Sequence, residues 1–189
     1  MNYHNLFQEY IFNEIKILEI GCNVGKISKI ISDNFNCNLI GIDNKNIFKN
    51  DFDNLLKDKA KFKKIDFFSN NDLSQLGHFD LVFYRDIFNS FDRKFHQEIF
   101  DNIFKNNCKN GTIIIINEFS SFTKYLSNTI NFLLRRKLKK INFFNINNTK
   151  LQGIEIIRIL NGDFFTSNFK NFLYKIFNYK KIYILKCIK

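Results

Sequence analysis

Five short apolar segments, each separated from the next by an amphipathic stretch, constrain this chain more than any other feature. They are 16–20 (KILEI), 38–42 (NLIGI), 62–65, 79–84 (FDLVFY) and 112–116 (TIIII). Ile27, Ile30, Ile31 and Phe35 follow the first at helical spacing, and Ile47, Phe48, Phe52, Leu55 and Leu56 follow the second. Asp92 offers an N-cap to a helix carrying Phe95, Ile99, Ile103 and Phe104. Strands joined through helices run parallel, because antiparallel neighbours need only a tight turn. The uniformly apolar TIIII is what a strand covered on both faces looks like. The expected fold class is therefore α/β: a doubly wound, mostly parallel sheet with helices on both faces. With 189 residues, no Gly/Ser linker and no internal repeat, the chain reads as a single domain.

Beyond residue 119 the pattern is looser. Phe122, Tyr125, Leu126, Ile130 and Leu133 suggest an amphipathic helix that runs into a basic segment, 135–140 (RRKLKK). Residues 154–160 fit either a strand or a turn of helix, 166–177 read as a helix, and 180–188 as a terminal strand.

The net charge is +11, and it is unevenly spread. Residues 1–118 hold 15 Lys/Arg and 16 Asp/Glu, whereas 119–189 hold 14 Lys/Arg against only Glu155 and Asp163. Lys, Asn, Ile, Phe and Tyr dominate while Pro is absent, a bias that follows A/T-rich codons, so Lys content alone says little. Its asymmetry says more: an acidic partner is one reading and a solvated basic face the other.

Cys22, Cys37, Cys108 and Cys187 show no metal-ligand spacing and no disulfide framework, and the three histidines are scattered. No charged n-region precedes an apolar stretch at the start, and no apolar run reaches the length of a membrane span. A cytoplasmic protein with no transmembrane segment and no metal is expected.

In a doubly wound sheet, ligands bind beyond the carboxyl ends of the strands, at the point where strand order reverses. Two of only seven glycines fall in the loop after the first strand, E-I-G-C-N-V-G (Glu19–Gly25). A loop of this kind presents backbone N–H groups and a helix N-terminus to an anionic group. Asn23 stands where a middle glycine is usual, and Asn is among the few residues that tolerate the left-handed region. The dinucleotide fingerprint G-x-G-x-x-G fails at two of its three positions, Asn23 and Lys26.

The spacing Glu19, Gly21, Asn23, Gly25 instead resembles motif I of the class I S-adenosylmethionine-dependent methyltransferases, with one departure at Asn23. I-G-I-D ending at Asp43, K-K-I-D-F ending at Asp66–Phe67, F-D-L-V-F-Y-R-D (Phe79–Asp86) and N-G-T-I-I-I-I-N-E (Asn110–Glu118) follow in the family's order. The resemblance implies S-adenosylmethionine as cofactor and contacts from Glu19, Gly21, Asn23, Gly25, Asp43, Asp66, Phe67 and Tyr84. Asp43 would accept from both ribose hydroxyls, and Asp66 from the adenine amino group with Phe67 against the ring edge. It also implies a division into an N-terminal helix or lid (1–15), a cofactor-binding core (16–118) and a basic acceptor-side region with the terminal strand (119–189).

Methyl transfer from a sulfonium asks the protein for alignment and exclusion of water, so the donor is easier to read than the acceptor. Tyr84, Arg85, Asp86, Asn117 and Glu118 are acceptor-side candidates, and the catalytic group stays unassigned. Without proline, the Asn-Pro-Pro-Tyr of amine-directed DNA methylases is excluded, and no cysteine follows the fourth strand to serve a covalent pyrimidine methylase. A small-molecule or acidic acceptor is expected. RNA held through 135–140, or a non-catalytic basic binding module of the same fold, are the alternatives.

Overall fold

The computed structural model describes residues 3–119, 151–161 and 180–189. Within them the order is α1 (Tyr3–Gln8), β1 (Ile15–Ile20), α2 (Lys26–Asn34), β2 (Cys37–Asp43), α3 (Lys49–Leu56), β3 (Ala60–Lys64), α4 (Asn70–Ser74), β4 (Phe79–Arg85), α5 (His96–Asn107), β5 (Cys108–Phe119), β6 (Ile154–Asn161) and β7 (Lys180–Cys187). The seven strands form one sheet in the order β3-β2-β1-β4-β5-β7-β6. The first five pair in parallel, and β7 runs antiparallel to both of its neighbours. This is the mostly parallel α/β sheet expected from the alternation of segments.

The central strands β1, β4 and β5 are covered by both layers, and their residues divide between them with the two-residue period. One face gathers Leu18, Ile20, Val82, Tyr84, Ile114 and Ile116 under Ile99, Phe100 and Ile103 of α5. The other gathers Ile17, Leu39, Leu81, Phe83 and Ile115 under Leu6 and Phe7 of α1, Ile27 and Ile31 of α2, and Phe52 and Leu56 of α3.

The structure also refines the expected boundaries. The strand placed at 112 starts at Cys108, and an irregularity opposite Phe79–Leu81 absorbs Asn110–Gly111. Thr112 Oγ1 locks this bulge by accepting from Lys109 N at 2.9 Å and donating to Phe79 O at 2.7 Å. Asp92 precedes a short 3-10 turn before α5, but its side chain makes no cap bond; its carbonyl accepts from Phe95 N instead. Residues 154–161 resolve as a strand. The helices expected over 122–133 and 166–177, and the basic run 135–140, lie outside the described residues.

Candidate functional site

Strand order reverses between β1 and β4, and the loops after β1, β2 and β4 enclose a cavity of about 330 Å³ there. That volume sits at the small end of the ~300–1,000 Å³ range of small-molecule sites. The loop after β1 is built from left-handed residues: Gly21 at φ 76°, Asn23 at φ 52° and Gly25 at φ 81°. Asn23 thus takes the conformation that the third position of the motif demands. Gly21 N and Cys22 N both donate to Ile42 O, at 2.9 and 3.1 Å, which pins the loop to β2. A Cβ on Gly21 would lie 3.0 Å from Arg85 O, so the loop also presses against the end of β4.

Asp43 ties the two loops together. Its Oδ2 accepts from Asn23 N at 3.2 Å and its Oδ1 from Lys45 N at 3.1 Å. Each carboxylate oxygen keeps acceptor capacity, since an ionised carboxylate offers about four lone-pair sites. Only 7% of Asp43 is exposed, and the residue lines the cavity. Desolvated but with acceptor capacity to spare, it suits a ligand carrying paired hydroxyls.

Of the residues singled out from sequence, Gly21, Asn23 and Asp43 line this cavity together with the acceptor-side candidates Arg85 and Asp86. The others stand behind or beside it. Gly25 N-caps α2 and packs on Phe52. Asp66 is exposed, two residues past β3, where its Oδ1 accepts from Phe68 N at 3.0 Å. Phe67 is buried edge-to-face with Phe91, which does line the cavity. Tyr84 points to the opposite face from Arg85 and stacks on Phe88 and Phe100 in the core. The side chain of Glu118 lies outside the described part.

Glu19 is wholly buried beneath the loop, where Ser28 Oγ donates to its Oε2. Burial raises its carboxyl pKa to about 7, against the Ser28 bond and the Arg85 charge, which lower it. Between the ordinary 4.5 and about 7 the unfolded chain has lost this proton while the folded chain retains it. Folding stability therefore falls as pH rises through that window. Urea denaturation should show the wild type losing roughly 2–3 kcal/mol relative to Glu19→Gln between about pH 4 and pH 8. Equal pH dependence of the two proteins would mean that Glu19 is not held in this buried setting.

At the ends of β4 and β5, Arg85 and Asn117 are register partners. Asn117 is fully buried, and its Nδ2 donates to Tyr3 Oη at 2.5 Å, so α1 reaches the site through Tyr3. Burial first, then the charge of Asp86, pushes the Tyr3 phenol up to about 12. Asp86 holds a left-handed φ of 51° with its N–H on Asn117 O at 3.0 Å. Phe7 belongs to the core and Phe12 is 72% exposed. Arg85 Nη1 is buried and makes no hydrogen bond among the described residues.

Asn44, Lys45, Phe48, Ile87, Ser90 and Phe91 complete the wall and were not singled out from sequence. Asn44 and Lys45 were signalled by adjacency to Asp43. Phe48, Ile87 and Phe91 look like core positions, because apolar spacing does not distinguish a packed core from a cavity wall.

A parallel sheet with a left-handed glycine loop after β1 and an acid at the end of β2 defines a class: a doubly wound protein built to hold a ribose-bearing cofactor at its switch point. A methyltransferase domain family matches residues 2–171, and the chain belongs to that family of S-adenosylmethionine-dependent methyltransferases. Its cofactor is S-adenosylmethionine. No curated protein matches the chain. Among solved structures, a TehB-like S-adenosylmethionine-dependent methyltransferase from Corynebacterium glutamicum is similar with TM-score 0.62 and 14% identity, covering 98% of this chain and 86% of its own. Magnesium protoporphyrin IX methyltransferase from Synechocystis, solved with S-adenosylhomocysteine, is similar with TM-score 0.65 and 14% identity over 96% of this chain and 78% of its own. The N-methyltransferase NodS from Bradyrhizobium japonicum gives 0.63 and 12% over 99% and 95%. No helix of the described residues is long and apolar enough to cross a membrane.

Proposed function

We propose that the chain methylates a small-molecule acceptor at the carboxyl ends of β4 and β5. The observation that carries this reading is the convergence of Asp43 and Arg85 on one cavity beside the left-handed loop. When bound, S-adenosylmethionine supplies an electrophilic methyl carbon whose sulfur leaves as a neutral thioether, so no proton is needed on the leaving side. The loop Gly21–Gly25 cradles the amino-acid half of the donor with its backbone. Asp43 accepts from the ribose hydroxyls, and Asp66 from the adenine amino group, with Phe67 supporting that edge through Phe91. Glu19 and Tyr84 act from below, by holding α2 and by packing.

On the acceptor side, Arg85 is suited to an anionic group, because its buried Nη1 lacks a hydrogen-bond partner among the described residues. Tyr3, with its phenol near 12, serves as a hydrogen-bonding group and not as a base. Asp86 is the carboxylate placed to receive a proton if the acceptor releases one. Residues 1–15 form the cover, 16–118 the donor site, and 119–189 the acceptor side. The reaction belongs in the cytoplasm, where Cys22, Cys37, Cys108 and Cys187 stay as free thiols.

Tritiated methyl transfer to cell extract, fractionated into small molecules, RNA and protein, tests this. Label in the small-molecule fraction is expected, with loss of label for Arg85→Met. Label confined to RNA would move the acceptor to nucleic acid and the basic run 135–140.

A further inference from the structure

The edge of the sheet beyond β7 carries a self-complementary strand. β6 is the last strand in the order, and among the described residues no strand pairs with its outer side. Its sequence, I-E-I-I-R-I over 154–159, reads the same from either end in apolar and charged character, with Glu155 and Arg158 as opposite signs. Ile156, Ile157 and Ile159 are 47%, 44% and 45% exposed, an unusual apolar content for an open edge.

The bulge in β6 brings this pattern into phase. Ile154, Ile156 and Ile159 oppose Cys187, Leu185 and Tyr183 of β7, while Glu155 and Arg158 oppose Lys186 and Ile184. The register slips by one residue between Ile156 and Arg158, at Ile157. Without the slip, Ile154 and Ile159 would lie on opposite faces, as would Glu155 and Arg158. With it, Ile154, Ile156 and Ile159 share one face and the two charges share the other.

We propose that two copies of this chain pair antiparallel along β6, about a two-fold axis between Ile156 and Ile157. This axis sets Glu155 against Arg158 of the partner subunit, twice over, and Ile154 against Ile159 of the partner subunit. A bulge on one strand alone would throw such a ladder out of step. Here both strands carry it, and the extra residues meet at the axis. The contact is isologous, so it closes at a dimer and does not propagate. Opposite charges directly across an antiparallel pair are stabilising, and like charges destabilising. Arg158 already rests on Glu9 at 3.2 Å and hydrogen-bonds Tyr10, which leaves further donors of its five-donor guanidinium for another partner. A single strand pairing covers less than the ~1,200 Å² of a standard stable interface, so the dimer should dissociate on dilution.

Sedimentation velocity of the full chain tests this. The wild type should show a reversible, concentration-dependent monomer–dimer equilibrium. Glu155→Arg alone and Arg158→Glu alone should each be monomeric, because each sets like charges across the axis. An equimolar mixture of these two variants should form a heterodimer, and the double exchange E155R/R158E should restore the homodimer. All four positions of the charge pairs are exposed, and unchanged circular dichroism will show that the variants fold. A wild type that stays monomeric at the highest soluble concentration would overturn the proposal. So would a dimer indifferent to the single charge reversals, or a variant mixture that stays monomeric.

Discussion

Gly25→Ala is expected to destabilise the fold by about 2–5 kcal/mol, more than any other single-methyl change in the loop. Two costs add. Gly25 sits at φ 81°, where a Cβ meets backbone strain of roughly 1–2 kcal/mol. The same Cβ would stand 2.7 Å from Phe52 Cδ2 and 3.0 Å from Leu56 Cδ1. Both of those side chains are fully buried in α3, so neither can swing aside without repacking the layer. Gly77 supplies the comparison: its φ is 74°, but nothing lies within 4 Å of a Cβ built there. Gly77→Ala should therefore show the backbone cost alone. Urea denaturation of the two variants separates the terms, and equal losses would refute the packing of the loop against α3.

Asp43→Ala is expected to weaken binding of the donor about ten- to a hundredfold, from a loss on the order of 1–3 kcal/mol. The carboxylate does two things that the alanine cannot. It would accept from the ribose hydroxyls, which would otherwise be desolvated without partners. It also accepts from Asn23 N and Lys45 N, so its removal frees the loops after β1 and β2 from each other. Asp43→Asn keeps one acceptor oxygen and should fall between the two. Because the side-chain bonds of Asp43 go to loop backbone, at Asn23 N and Lys45 N, the fold should survive in both variants, and calorimetry can compare their affinities directly. An unchanged dissociation constant in Asp43→Ala would reject the ribose contact.

The parallel sheet and the left-handed loop after β1 were legible because both are written in local terms. Apolar segments of four to six residues set the strands, and an acid or glycine at a strand end marks a site by topology alone. Asp43 and Asn23 are the clearest cases. Faces were harder. In F-D-L-V-F-Y-R the apolar residues continue on both sides, as they do in any strand covered by two layers. Nothing local says that Tyr84 turns into the core while Arg85 turns toward the cavity. That follows from the register of β4 on β1 and β5. The same holds for Phe48, Ile87 and Phe91, whose spacing looks like core but whose neighbours leave a space. Tyr3 meets Asn117 across 114 positions of sequence, a contact no local pattern encodes. The bulge in β6 is equally invisible: I-E-I-I-R-I gives no sign that Ile157 is the extra residue until β7 is laid beside it.

Calorimetric titration of the wild-type chain with S-adenosylhomocysteine is the most direct measurement of whether the cavity at the switch point is a donor site. One molecule bound per chain, with affinity that falls in Asp43→Ala while circular dichroism stays unchanged, is the expected result. A folded wild type that binds neither S-adenosylhomocysteine nor S-adenosylmethionine would contradict it.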